Sequence, residues 1–297
     1  MKTIEEARRL LQSEEFMHIA AVLGGGEDLA EAYRNRLLCA IDSFVQLYGS
    51  GREIAIFSAP GRTELGGNHT DHQHGHVLAA SINLDVIAVV ARREDTTIRV
   101  HSEGFPEDEI SLEELEPVTD KKPTAAELIR GIAARFKQYG CPLETGFDAY
   151  TTSQVMAGSG LSSSAAFEVL LGNICNALYA ENRFTPVELA QMGQYAENVY
   201  FGKPSGLMDQ MASSVGGIIT IDFADTEQPV IRQADFDFAG SGHVEENETA
   251  MQAAVRECKE ELGITVKQSD IRFAHLSHRV GLNGARTYYD IYFVIER

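Results

Sequence analysis

The apolar positions change period several times along the chain. From about Asp28 to Tyr48, the residues Tyr33, Leu37, Ile41, Phe44 and Tyr48 recur on one face, which predicts an amphipathic helix. The period then shortens. EIAIFSA, HVLAASINL, DVIAVVARR and TIRVHSE are short runs rich in branched residues, divided by polar or glycine-containing breaks, as strands are. After Pro123 the helical period returns, with Leu128, Ile129, Ile132 and Phe136 on one stripe before a stop at Gly140. GFDAYTTS then reads as a strand, and SSAAFEVLLGNICNALYA as a helix opened by the glycine-serine loop between them. Another helix carries its own start signal: Thr185 as N-cap, Pro186 at the first helical position and Glu188 closing a capping box. No repeat or low-complexity linker interrupts the pattern.

A chain of 297 residues with this apolar content buries a sizeable core in one large or two medium domains. Its 44 acidic residues against 25 basic ones give a formal charge of -19, which repels phosphate backbones and anionic headgroups and argues against nucleic-acid and membrane partners. The start, MKTIEEARRLLQSEEF, is amphipathic and acidic without an apolar signal core, and no apolar run reaches bilayer length. A cytoplasmic location is expected. Cys39, Cys141, Cys175 and Cys258 are scattered and form no CxxC pair, which reads as reduced thiols rather than a zinc site or a disulfide framework.

Three polar stretches stand out. In GSGLSSSAAFE, Gly158 to Glu168, small residues let the backbone approach a ligand, and the helix that follows exposes unpaired N–H groups at its start. That combination makes an anion site, and the hydroxyls of Ser162, Ser163 and Ser164 add donors for phosphate or ligands for Mg²⁺. No Gly-Lys-Ser/Thr follows, so it is not a P-loop; the plain alternative is a small-residue turn that caps a helix. The second stretch, APGRTELGGNHTDHQHGHVLAASINLD from Ala59 to Asp85, packs Arg62, Glu64, Asn68, His69 and Asp71 between strand-like runs. Acceptors and amide donors at this density suit a hydroxyl-rich ligand such as a sugar, and an exposed polar loop is the alternative. In the third, AENVYFGKPSGLMDQMAS, Asp209 lies at a helix start between Met208 and Met211, where a carboxylate serves either as a general base or as a helix cap.

Taken in this order, the three stretches resemble the GHMP kinase superfamily and, within it, the galactokinase family, over roughly residues 20 to 238. PGRTELGGNHTDHQHGHVL is similar to that family's sugar signature, GSGLSSSAAFE to its ATP loop, and ENVYFGKPSGLMDQ to the segment that carries its aspartate. The resemblance implies an α+β fold with a GHMP-kinase-like, ribosomal-protein-S5-like N-terminal half, and transfer of a phosphoryl group from ATP to galactose. Carried over by position, it implies that Arg62 stabilises the transferring phosphoryl group and that Asp209 is the base near the sugar's anomeric hydroxyl. It implies Glu64, Asn68, His69, Thr70 and Asp71 as galactose-binding positions. Gly158, Ser159, Gly160, Leu161, Ser162, Ser163 and Ser164 would hold the ATP phosphates, with Ser164 and Glu197 as Mg²⁺ ligands. The family usually has a glutamate where Asn68 stands and an asparagine where Glu64 stands, a swap that keeps one carboxylate in the loop; Ser205 replaces a common cysteine.

Beyond DFDFAG nothing resembles the family's second half or its third, glycine-rich motif. Instead Gly242, Glu248, Arg256, Glu257, Glu260, Glu261 and Gly263 fit the spacing G-x5-E-x7-R-E-U-x-E-E-x-G-U, which resembles the Nudix box. Glu257, Glu260 and Glu261 fall at i, i+3 and i+4, so their carboxylates converge on one helix face and can bind Mg²⁺. A solvated acidic face is the alternative. The sequence thus divides into a galactokinase-like region over residues 1–238 and a Nudix-like fragment, a helix and hairpin, over residues 239–297. The expected activity is that of a galactokinase-type sugar kinase, impaired by the missing motif. Two other readings are a Nudix-type, Mg²⁺-dependent pyrophosphohydrolase of nucleoside diphosphate derivatives and a catalytically inactive sugar-binding module.

Overall fold

Asp85 stands where the sequence suggests a break between two strands, and in a computed structural model of the chain one strand runs straight through it. The charge does not end the strand because it is buried and answered: Tyr33 and Ser58 donate their hydroxyls to its carboxylate at 2.7 and 2.6 Å, and Arg36 pairs with it. Buried carboxylates persist where hydrogen bonds and an opposite charge meet them.

The structure describes residues 1–24, 26–67, 74–118, 123–156, 158–225, 228–234, 249, 252–253, 255–256, 267, 271–280 and 287–295. The chain divides into two compact units, Met1–Ala234 and Asp235–Arg297.

The first unit mixes helices and strands. Its elements are β1 (Lys2–Thr3), α1 (Ile4–Leu11), α2 (Glu14–Gly24), α3 (Glu27–Tyr48), β2 (Glu53–Gly66), β3 (His76–Arg92), β4 (Thr97–Ser102), β5 (Asp108–Ser111), α4 (Ala125–Gln138), β6 (Phe147–Ser153), α5 (Ser163–Tyr179), α6 (Pro186–Tyr195), a π-helical turn (Ala196–Tyr200), α7 (Met208–Val215), β7 (Ile218–Asp222) and β8 (Val230–Ala234). The sheet order is β1-β2-β3-β6-β4-β5, with β7 joined to β3 and β8 to β7. β4 and β6 run parallel, which requires a crossover, and α4 lies in it.

Both faces of the sheet are covered. Val86, Ala88 and Val90 point into a core with α4 and α5, while Ile87, Val89 and Ala91 point into a second core under α1, α2 and α3. Strands buried on both faces read as continuous apolar runs, and DVIAVVA is such a run. Local signals hold where tertiary context agrees with them: Thr185 and Glu188 form the reciprocal cap of α6, and the four stripe residues of α4 are buried. No helix among the described residues is long and apolar enough to cross a membrane.

In the second unit, β9 (Ile271–Val280) and β10 (Thr287–Ile295) form an antiparallel hairpin. Thr249 and Gln252 cap each other at 2.8 to 3.3 Å, and 252–253 and 255–256 are helical. Glu257, Glu260 and Glu261 lie outside the described residues.

Candidate active site

β2 is irregular where it carries its chemistry. Its pairing with β3 shifts between Pro60 and Arg62 and again between Glu64 and Gly66. Such bulges bend a strand and re-aim its side chains. Gly61, between the two halves of the first shift, permits a close approach: a Cβ there would lie 3.0 Å from the Leu161 carbonyl oxygen and 3.1 Å from the Val155 methyls, so either neighbour would have to give by a few tenths of an ångström. The glycine-serine loop can therefore lie directly on β2, and the Arg62 amide donates to the Leu161 carbonyl at 3.1 Å.

The loop itself is shaped by three left-handed residues, Gly158, Gly160 and Ser162, with φ of 77°, 80° and 57°. Ser162 occupies the N-cap position of α5 without capping it, because its hydroxyl is turned to Asp209 instead. The first turn of α5 thus keeps backbone N–H groups without a side-chain cap, and a helix start in that state attracts anions.

Asp209 is in the first turn of α7 and is the meeting point of these elements. Arg62 donates from Nε to its Oδ1 at 2.7 Å, Ser162 donates to Oδ2, and the Arg62 Nη1 also donates to the Gly160 carbonyl at 2.6 Å. Ser213 fixes α7 to β2 by donating to the Pro60 carbonyl at 2.6 Å. The Arg62 side chain is only 8% exposed whereas that of Asp209 is 32% exposed, so the carboxylate faces outward from a buried guanidinium. Residues 147 positions apart in sequence are brought into one ion pair.

Beside this pair lies a second polar cluster. Ser164 donates to Glu197 Oε1 at 3.3 Å, and Lys203 Nζ donates to the same oxygen at 2.7 Å. Glu197 sits on the π-helical turn, a feature common at functional positions. Gln210, the residue after Asp209, uses its Nε2 to donate to Glu197 Oε2 at 3.0 Å and to Glu168 Oε2 at 2.9 Å. Glu168 is fully buried, and its Oε1 and the Gln210 Oε1 have no partner among the described residues. Burial, and then the neighbouring Glu197 charge, push the Glu168 carboxyl well above its usual 4.5, against the opposing effects of Gln210 and Lys203.

That shift has a testable sign. A carboxyl whose pKa is raised on folding favours the fold below its unfolded value and loses that contribution as pH rises through the folded one. Glu168→Gln should therefore stabilise the protein near neutral pH, with a gain that shrinks towards pH 4.5. Urea unfolding of both proteins at several pH values measures it; a variant less stable than its parent at neutral pH would overturn the upward shift of the Glu168 carboxyl.

Of the residues singled out in the sequence, the structure brings together Arg62, Asp209, Gly160, Leu161 and Ser162, and separately Ser164 with Glu197. Glu64 is partly buried on β2. Asn68, His69, Thr70 and Asp71 lie outside the described residues. Lys203, Gln210 and Glu168 join the cluster although no motif spacing marks them as site residues; their only sequence signal is that they lie inside the same motifs as the candidate ligands. Among the described residues no group of three or more His, Cys, Asp or Glu is placed to hold a metal; Ser164 and Glu197 bring one hydroxyl and one carboxylate together.

Comparison with known proteins bears on these positions directly. The galactokinase galactose-binding signature matches residues 42–92, which include Arg62 and Glu64, and the GHMP kinases N terminal domain matches residues 127–217, which include the glycine-serine loop, Glu197 and Asp209. The first unit is galactokinase-like. This region is 39% identical over 206 residues to a galactokinase from Streptomyces coelicolor, covering 68% of this chain and 51% of that protein. A galactokinase from Enterococcus faecalis is 37% identical over 179 residues, covering 59% of this chain and 45% of that protein. The chain thus spans about half the length of the curated relatives it matches.

In three dimensions the chain is similar to a crystal structure of Lactococcus lactis galactokinase complexed with galactose, with a TM-score of 0.60 at 28% identity over 78% of this chain and 63% of that one. The fold is shared more widely: Methanococcus jannaschii mevalonate kinase gives a TM-score of 0.54 at 16% identity over 70% of this chain and 67% of that one. A NUDIX domain matches residues 217–296. That match starts at Gly217, before β7, and includes the glutamate spacing noted in the sequence.

Proposed function

We propose that the galactokinase-like region transfers the γ-phosphoryl group of ATP to the anomeric hydroxyl of galactose. The observation that carries this reading is Asp209 held between Arg62 and Ser162, at the opening of α5, within residues that two kinase family models match. Phosphoryl transfer asks little covalent chemistry of a protein and much positioning and charge stabilisation. In this reading the loop from Gly158 to Ser164 and the N–H groups of α5 cradle the ATP phosphates. Arg62, already aimed by Asp209 and Gly160, stabilises charge on the transferring group. Asp209, the exposed partner, accepts the hydroxyl proton of the sugar.

Ser164 and Glu197 fit a hard cation of the Mg²⁺ type, which is usually held by one or two carboxylates together with substrate phosphates. Bound there, Mg²⁺ would neutralise phosphate charge. Lys203 occupies the same Glu197 oxygen and adds a positive charge on that side of the loop. Galactose contacts are assigned to Glu64, Asn68, His69, Thr70 and Asp71 from the family motif.

A second reading, Mg²⁺-dependent pyrophosphohydrolysis of nucleoside diphosphate derivatives, is favoured by the NUDIX match and by the spacing of Glu257, Glu260 and Glu261. An ADP-release assay with galactose, run beside nucleoside monophosphate release from nucleoside diphosphate derivatives, separates the two. Galactose-dependent ADP release supports the kinase reading; nucleoside monophosphate release alone supports the hydrolase reading and overturns the first.

A further inference from the structure

At the end of β6 away from the glycine-serine loop, four arginines gather around one buried acid. Arg52, Arg93 and Arg99 all donate to Asp148, whose side chain has no exposure, and Arg92 stands at the same pocket of about 570 Å³. That volume is in the range of small-molecule sites. Burial opposes ionisation of Asp148, but hydrogen bonds from Arg99, Arg52 and Arg93 outweigh it and hold the carboxyl below its usual range.

The lining sets four arginines against three acids, Asp148, Asp95 and Glu94. Three of the guanidiniums converge on Asp148 in a chain of net charge -19 that has only 25 basic residues. Among the described residues, Arg99 uses Nε on Asp148 and stacks over Tyr48 at 5.3 Å, which leaves both terminal nitrogens unused. Arg92 donates no hydrogen bond among the described residues and lies over the Tyr179 ring at 4.9 Å. Asp95, on the rim, is already taken by Arg93 through both of its oxygens, which hold its carboxyl down to about 2. Gathered guanidiniums with free donors and a low-exposure floor are the arrangement that recognises a doubly charged oxyanion.

We infer that this pocket, lined by Arg52, Arg92, Arg93 and Arg99 against the acids Glu94, Asp95 and Asp148, is a second anion site that takes a small phosphate-bearing ligand. It is distinct from the loop site: Asp148 and Ser153 are five residues apart on β6, about 17 Å of strand at ~3.3 Å per residue. A small free ligand is favoured over a membrane or a nucleic acid because the net charge of -19 repels extended polyanions, whereas a single compact dianion meets only the local field.

Calorimetric titration of the full chain with inorganic pyrophosphate tests the site. The Arg92 side chain is exposed and, among the described residues, its guanidinium lies against the Tyr179 ring without a hydrogen bond, so Arg92→Gln should retain the parent melting temperature while weakening pyrophosphate binding about tenfold or more. Arg92→Lys, which keeps the charge but not the planar fork, should fall between them. Equal affinity in all three proteins, or no binding by the parent, would overturn the proposal. Co-sedimentation of the parent with vesicles containing anionic lipid, abolished by Arg92→Gln, would overturn the assignment to a small free ligand.

Discussion

Asp209→Asn is expected to lower galactose-dependent phosphoryl transfer by about 10²- to 10⁴-fold, the usual contribution of a positioned general base, while leaving MgATP affinity unchanged. Asparagine keeps the shape and an acceptor for Arg62 Nε, so the 2.7 Å contact can persist and the loop need not move. What is lost is the capacity to take a proton. The competing role for an aspartate in the first turn of α7 is favourable interaction with the helix dipole, worth about 0.3 to 1 kcal/mol of stability and nothing in rate. Initial rates and thermal melts of the two proteins tell these apart. A variant that is slightly less stable but turns over normally would make Asp209 a helix-end charge rather than a base.

Asp148→Asn is expected to cost about 3 to 5 kcal/mol of folding stability, because removing one partner of a buried ionic cluster leaves the others uncompensated. Three guanidiniums, from Arg52, Arg93 and Arg99, would then face one neutral amide at a position with no exposure of its own. The pH dependence has the opposite sign to that of Glu168. The Asp148 carboxyl is lowered in the fold, so its contribution is present above the unfolded value of 3.8 and is lost as pH falls through the folded one. Urea unfolding at neutral pH is the measurement; a loss under 1 kcal/mol would mean that the arginines find equivalent partners without it.

The sequence and the structure agree most where a signal is local. The cap of α6 needs only Thr185, Pro186 and Glu188, and the stripe of α4 needs only its own period. They part where the partner is distant. Asp85 reads as a strand break because a charge in an apolar run is costly alone, and it is not alone: Tyr33, Arg36 and Ser58 come from other elements. The capping box that starts α1, Thr3 with Glu6, is equally local, but it sits in a stretch whose dominant feature is its acidic charge.

The candidate site shows the same division. Arg62, Asp209 and the loop from Gly158 to Ser164 are readable as motifs because each motif is contiguous. Their mutual bonds are not, since they depend on the bulge at Gly61 and on α7 being fixed to β2 through Ser213. Gln210 was hidden for a related reason. A glutamine after an aspartate has no meaning until a π-helical turn brings Glu197, and a neighbouring helix brings Glu168, to its amide.

The central claim is that Asp209 and Arg62 serve transfer to a sugar hydroxyl. Its most direct measurement is ADP release from MgATP by the unmodified chain, with galactose, with 1-deoxygalactose, which lacks the anomeric hydroxyl, and without sugar. The account predicts release above the sugar-free rate with galactose and none above it with 1-deoxygalactose. Release that is the same in all three conditions would contradict it.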